Sequence, residues 1–131
     1  MRLRLLHSLL LFIPFQLMAG TVVYTDAEHP PQNLTEESSV VWLDGPDRLQ
    51  NSIFGKLAAD PQLAAQQARE IIQSPQWPGQ QEQIAQAYRQ VVHAWEIGLH
   101  KFPAVVFDDQ DVVYGTSDVA RAAMLHSQGG K

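Results

Sequence analysis

The chain contains no cysteine. That excludes a disulfide, a thiol nucleophile and a thiolate metal site. Positive charge is scarce: 9 Lys and Arg stand against 14 Asp and Glu, for a formal net charge of −5. Phosphate contacts need clustered Lys and Arg, and here the basic residues are scattered, so no nucleic-acid partner is expected. No glycine-rich phosphate loop, serine elbow or paired-carboxylate arrangement occurs. A long apolar run is missing too. The segment from Leu5 to Met18 is interrupted by His7, Ser8, Pro14 and Gln16 and is short for a membrane span.

That segment follows Arg2 and Arg4 and ends at Leu17-Met18-Ala19, with a small residue at the edge. The pattern reads as a secretory signal peptide over residues 1–19, cut after Ala19 or Gly20; an uncleaved anchor is the alternative. No cysteine follows it, so a lipid-modified N-terminus is excluded. Cleavage removes two arginines and no acid, taking the formal charge from −5 to −7. Residues 20–131 then make a single domain, long enough for a small core without staples.

The exported part is organised around Lys101 to Gly115. Ala104-Val105-Val106-Phe107 is an apolar run without polar alternation, as in a strand buried on both faces. Asp108 to Asp111 signals a turn, and Val112-Val113-Tyr114 a return strand nearer an edge. Gly115 suits the positive φ of a strand-to-helix corner, and Thr116 or Ser117 caps a helix through Arg121, Ala122, Met124 and Leu125. Upstream, Thr21 to Thr25 and Val40 to Leu43 read as strands, with a short helix between them. Asp44-Gly45-Pro46-Asp47 marks a turn. From about residue 47 to 101 the pattern is helical, opening with Leu49, Ile53, Phe54 and Leu57 spaced along the apolar face of a first helix. Asp60-Pro61 starts one helix and residues 74–79 break it. A longer helix runs from about Gln80 to His100, with Ile84, Tyr88, Val91, Trp95 and Leu99 along one face.

Strand, hairpin and closing helix match the C-terminal half of a thioredoxin-like domain. The expected fold is therefore α/β: a thioredoxin-like mixed sheet flanked by helices, with an enlarged helical insert between the second and third strands. An unrelated α+β sandwich is the alternative. In the thioredoxin-like reading Pro103 stands where that fold carries its cis-proline. His29-Pro30-Pro31-Gln32 stands where a C-P-x-C motif would open the first helix. With both cysteines replaced, dithiol exchange is excluded, since it needs an attacking thiolate.

Four stretches carry a family resemblance: Val23-Tyr24-Thr25, Asp60-Pro61 with Ala68-Arg69, Ala94 to Leu99, and Lys101 to Asp108 continuing to Gly115. On these the chain resembles the small exported proteins of unknown activity encoded in bacterial integrating conjugative elements. That family is similar in outline to the thioredoxin-like periplasmic proteins that assist F-type pilus assembly. The resemblance implies a periplasmic accessory role in transfer, near a type IV secretion apparatus, and supplies no catalytic mechanism.

The candidate site is a groove formed by His29, Pro30, Gln32, Phe102 and Pro103, binding an extended protein partner by strand addition. No cofactor, no metal and no enzymatic activity are expected. The first rival function is an enzyme using His29 as acid or base; a nearby Asp, Glu or Ser aimed at it would favour that. The second is a structural subunit docking through its helical insert, favoured by an exposed apolar patch near Leu49 to Leu57 or Trp77. Zinc on His93, Glu96 and His100 is disfavoured, because the two histidines lie two helical turns apart. Asp108, Asp109 and Asp111 lack the later ligands of a calcium loop. Asn33-Leu34-Thr35 fits a glycosylation sequon, but the match is weak, and an ordinary polar loop or a cap at Thr35 is the favoured reading. Trp42, Trp77 and Trp95 are expected to pack, with Trp77 the one placed to meet a partner.

Overall fold

Val23, Tyr24, Val105 and Val106 set the architecture, because neighbouring strand residues point to opposite faces. The computed structural model describes residues 20–129; the expected signal peptide lies outside them. The elements are β1 (Thr21–Thr25), β2 (Ser38–Trp42), α1 (Gly45–Phe54), α2 (Pro61–Ile72), α3 (Trp77–Glu96), β3 (Ala104–Phe107), β4 (Asp111–Tyr114) and α4 (Val119–Gly129). The sheet order is β2-β1-β3-β4, with β1 and β2 parallel and the other pairs antiparallel.

The two central strands carry the apolar runs. Val23 and Val105 turn to one face, where Val119 and Ala122 of α4 close over them. Tyr24 and Val106 turn to the other, against Val41 and Ala94 of α3. Helices therefore cover both faces of a mixed α/β sheet. The edge strands are wetter: Ser39, Asp111 and Tyr114 are exposed. Phe107 to Gln110 closes the β3–β4 hairpin with Asp108 and Asp109 both at positive φ, 57° and 54°, as in a type I′ turn.

Several local expectations are corrected. No helix forms between β1 and β2. His29 and Pro30 each precede a proline, which pushes both out of the α region. Residues 44–47 open α1 instead of forming a turn, since Pro46 in the first helical turn lacks only an N–H that would be unpaired anyway. The helical insert spans Gly45 to Glu96 rather than 47–101. α3 starts three residues early, at Trp77, and stops at Glu96. Gly98 at φ 81° ends it, with Leu99 N–H donating to Ala94 O and Gly98 N–H to Trp95 O, a Schellman termination. The inward stripe of α3 is Ile84, Ala87, Val91 and Ala94, not the line through Tyr88 and Trp95. Trp95 is 73% exposed, and small alanines let the helix approach the sheet. Trp77 packs edge-on against Phe54, with ring centroids 5.6 Å apart.

α2 is held most weakly. Asp60 caps it by accepting from Gln62 N–H at 3.2 Å, yet none of its residues is buried. Amides of residues 61–72 are expected to exchange well before those of α3. Asp60→Ala costs this helix about 1 kcal/mol. It should speed that exchange while leaving global melting nearly unchanged. Equal protection in α2 and α3 would contradict this packing.

Candidate functional site

The loop after β1 is stitched to the entry of α4 instead of starting a helix. Gln32 N–H donates to Ser117 O at 3.1 Å, and Gln32 O accepts from Val119 N–H at 3.0 Å. Asn33 Nδ2 donates to Asp118 Oδ1 at 2.9 Å, and Ser117 Oγ to Pro30 O at 2.9 Å. On the other side, the fully buried Thr25 donates its hydroxyl to His29 O at 2.6 Å. The Ala104↔Tyr114 register puts Gly115 beside Pro103, and Gly115 N–H donates to Pro103 O at 2.9 Å.

These contacts bring the predicted residues together. His29, Pro30, Gln32 and Pro103 line one cleft of about 330 Å³. The Phe102-Pro103 peptide is cis. Phe102 is half exposed and meets the His29 ring edge-on, with centroids 6.3 Å apart. Sequence reasoning missed the opposite wall. Thr116, Ser117, Asp118 and Arg121 line the same cleft. Asp118, rather than Thr116 or Ser117, caps α4 by accepting from Ala120 and Arg121 N–H. The available signal was Gly115, which turns the chain back beside Pro103.

His29 does not stand at a helix start. Its Nδ1 lies 2.6 Å from Asp26 Oδ1, and its backbone N–H also donates to that carboxylate at 3.0 Å. The His29 ring hydrogen bond holds the Asp26 carboxyl below the usual range; the Asn33 amide does the same for Asp118. A carboxyl lowered on folding adds stability above its unfolded pKa, about 3.9, and loses it as pH falls through the folded value. Stability should therefore drop as pH is taken below about 4. Asp26→Asn and Asp118→Asn should each flatten that limb, read from urea midpoints at neutral and acid pH. Unchanged acid slopes in both variants would contradict these contacts.

The other singled-out residues fall elsewhere. His93 contacts Glu96 at 3.6 Å and Asp109 at 3.3 Å, whereas His100 lies beyond the helix and donates its N–H to Tyr114 OH. Among the described residues no three His, Asp or Glu side chains are placed to hold one metal ion. Asp111 pairs with His126 at 3.0 Å, and that ring stacks on Phe107. Trp42 lies under the Arg48 guanidinium, 4.9 Å from the ring centre. A larger hollow of about 520 Å³ opens between α1, α2 and the start of α3, walled by Ile53, Phe54, Leu57 and Ile71.

Sheet, stitched loop and cleft define a small α/β domain with one polar notch beside a cis-proline. The family described as "Protein of unknown function (DUF1525)" matches residues 18–128, and the chain belongs to it. No curated protein and no solved structure matches.

Proposed function

We propose that this protein is a periplasmic, thioredoxin-like, redox-inactive accessory of an integrating conjugative element. In this reading it binds an extended segment of a transfer-apparatus protein in the cleft between His29 and Phe102-Pro103. The carrying observation is convergence: three stretches distant in sequence, at His29 to Gln32, Pro103 and Gly115 to Arg121, line one cleft, with the exposed Phe102 ring beside His29. An interior β3 and helices on both faces of the sheet support the thioredoxin-like reading. The absence of cysteine removes thiol chemistry from such a groove, and binding an extended segment needs none. Main-chain pairing beside Phe102 supplies affinity, and the flanking side chains supply selection.

A photo-crosslinking residue at position 102 tests this in donor cells. The expected result is one discrete adduct with a component of the transfer apparatus, lost on His29→Ala. If position 102 gives none while crosslinkers at Leu63 or Trp95 do, the protein docks through its helices instead.

The Asp26–His29 contact favours a second reading, in which Asp26 orients His29 as an acid or base. The two readings separate at Asp26→Asn. An enzyme loses function nearly as fully as with His29→Ala, whereas a binding cleft keeps most of it.

A further inference from the structure

The cleft is unbalanced in its hydrogen-bonding groups. Its acceptors are largely used. Pro30 O takes the Ser117 hydroxyl, Gln32 O takes Val119 N–H and Pro103 O takes Gly115 N–H. Asp118 Oδ1 takes three donors, from Asn33, Ala120 and Arg121, and Thr116 Oγ1 takes Asp118 N–H. The first amides of α4 are spent in the same contacts, so the helix end itself offers little. What is left includes side-chain donors, beside the second Asp118 oxygen and the Gln32 side-chain carbonyl as acceptors. Arg121 is exposed on the lining of the cleft, and among the described residues its guanidinium meets no carboxylate at ion-pair distance; Asp118 feels its charge without pairing. The Gln32 amide has no partner among the described residues either, and the Thr116 hydroxyl keeps its proton to give.

We infer that the segment bound in this cleft presents a carboxylate to Arg121, with Gln32 and Thr116 as auxiliary donors and Phe102 holding a neighbouring apolar side chain. This rests on the cleft being a segment-binding site. A guanidinium suits the role because its planar fork matches two carboxylate oxygens at once. The carboxylate is either an acidic side chain or the partner's C-terminus, since both offer the same two oxygens. Asp118 is the opposing element. Its charge sits beside Arg121 and lowers affinity for any anion.

The test uses the purified protein on arrays of random eight-residue peptides, each made as the amide and as the free acid. Wild type, Phe102→Ala, Arg121→Gln and Asp118→Asn are compared. The expected binders depend on Phe102 and carry Asp, Glu or a free C-terminus, and Arg121→Gln weakens them about tenfold or more. Asp118→Asn keeps a capping oxygen and should tighten binding severalfold. Acidic amides among the binders identify a side-chain carboxylate; binding confined to free acids identifies a chain terminus. Phe102-dependent binders with no carboxylate preference and no response to Arg121→Gln overturn the inference and leave the cleft reading standing. If no binder depends on Phe102, the cleft reading fails and this inference with it.

Discussion

Tyr24→Ala is expected to remove about 3–5 kcal/mol of stability, the range for truncating a large buried aromatic. The ring is 1% exposed on the central strand β1, packed with Val41, Ala94 and Val106 and bordered by Leu43, Ile97 and Leu99. It is the largest side chain joining α3 to the sheet. A small domain has about 5–15 kcal/mol in total, so the variant should melt about 15 °C lower or more, followed by far-ultraviolet circular dichroism. Tyr24→Phe keeps the ring and should stay close to wild type at neutral pH. The two separate again in alkali. Burial, then the Asp109 charge, raises the Tyr24 phenol above its ordinary value. A raised group gives its stabilisation in full below the unfolded pKa, about 10, and loses it as pH rises through the folded value. Wild type should therefore weaken above about pH 10 more steeply than Tyr24→Phe. An unshifted melting temperature for Tyr24→Ala would mean that α3 is not seated on the sheet as described.

Phe102→Ala should have the opposite profile, with little loss of fold and a large loss of function. Its ring is 50% exposed and contacts the His29 edge rather than the core. Stability should change by no more than about 0.5–1 kcal/mol. Aromatic anchors often contribute 2 kcal/mol or more to an interface, about thirtyfold in affinity. Under the proposed role, wild type should restore conjugative transfer to a donor deleted for this reading frame, whereas Phe102→Ala, accumulating normally, should fall short by tenfold or more. His29→Ala should fall in the same direction. Full restoration by both variants would make the cleft dispensable and point to α2 and the exposed face of α3. A deletion that leaves transfer unchanged would remove the proposed setting.

The strands were legible because their signal is local. Thr21 to Thr25 and Ala104 to Phe107 are β-branched and apolar enough that no other element suits them, and both lie inside the sheet. The Phe102-Pro103 corner was legible from its place before a buried strand. The helices were legible in number and approximate place within the insert, but not in face. Stripes through Ala87 and Ala94 or through Tyr88 and Trp95 have the same period, and the larger residues draw a sequence-based reading. What separates them is how closely α3 must approach Tyr24 and Val106.

From its residues alone this chain is committed to β-strands at both ends of a helical block. The absence of cysteine denies it dithiol chemistry in any fold. Those properties depend on residue type and near neighbours. The cleft's second wall is different. Asn33 meets Asp118 across 85 positions, and Gln32 bridges to the same residue. No periodicity records a contact of that range. Only the pairing of β1 with β3, and of β3 with β4, brings the α4 entry against the loop after β1. That placement puts Arg121, otherwise an ordinary helix residue, on the lining of the cleft.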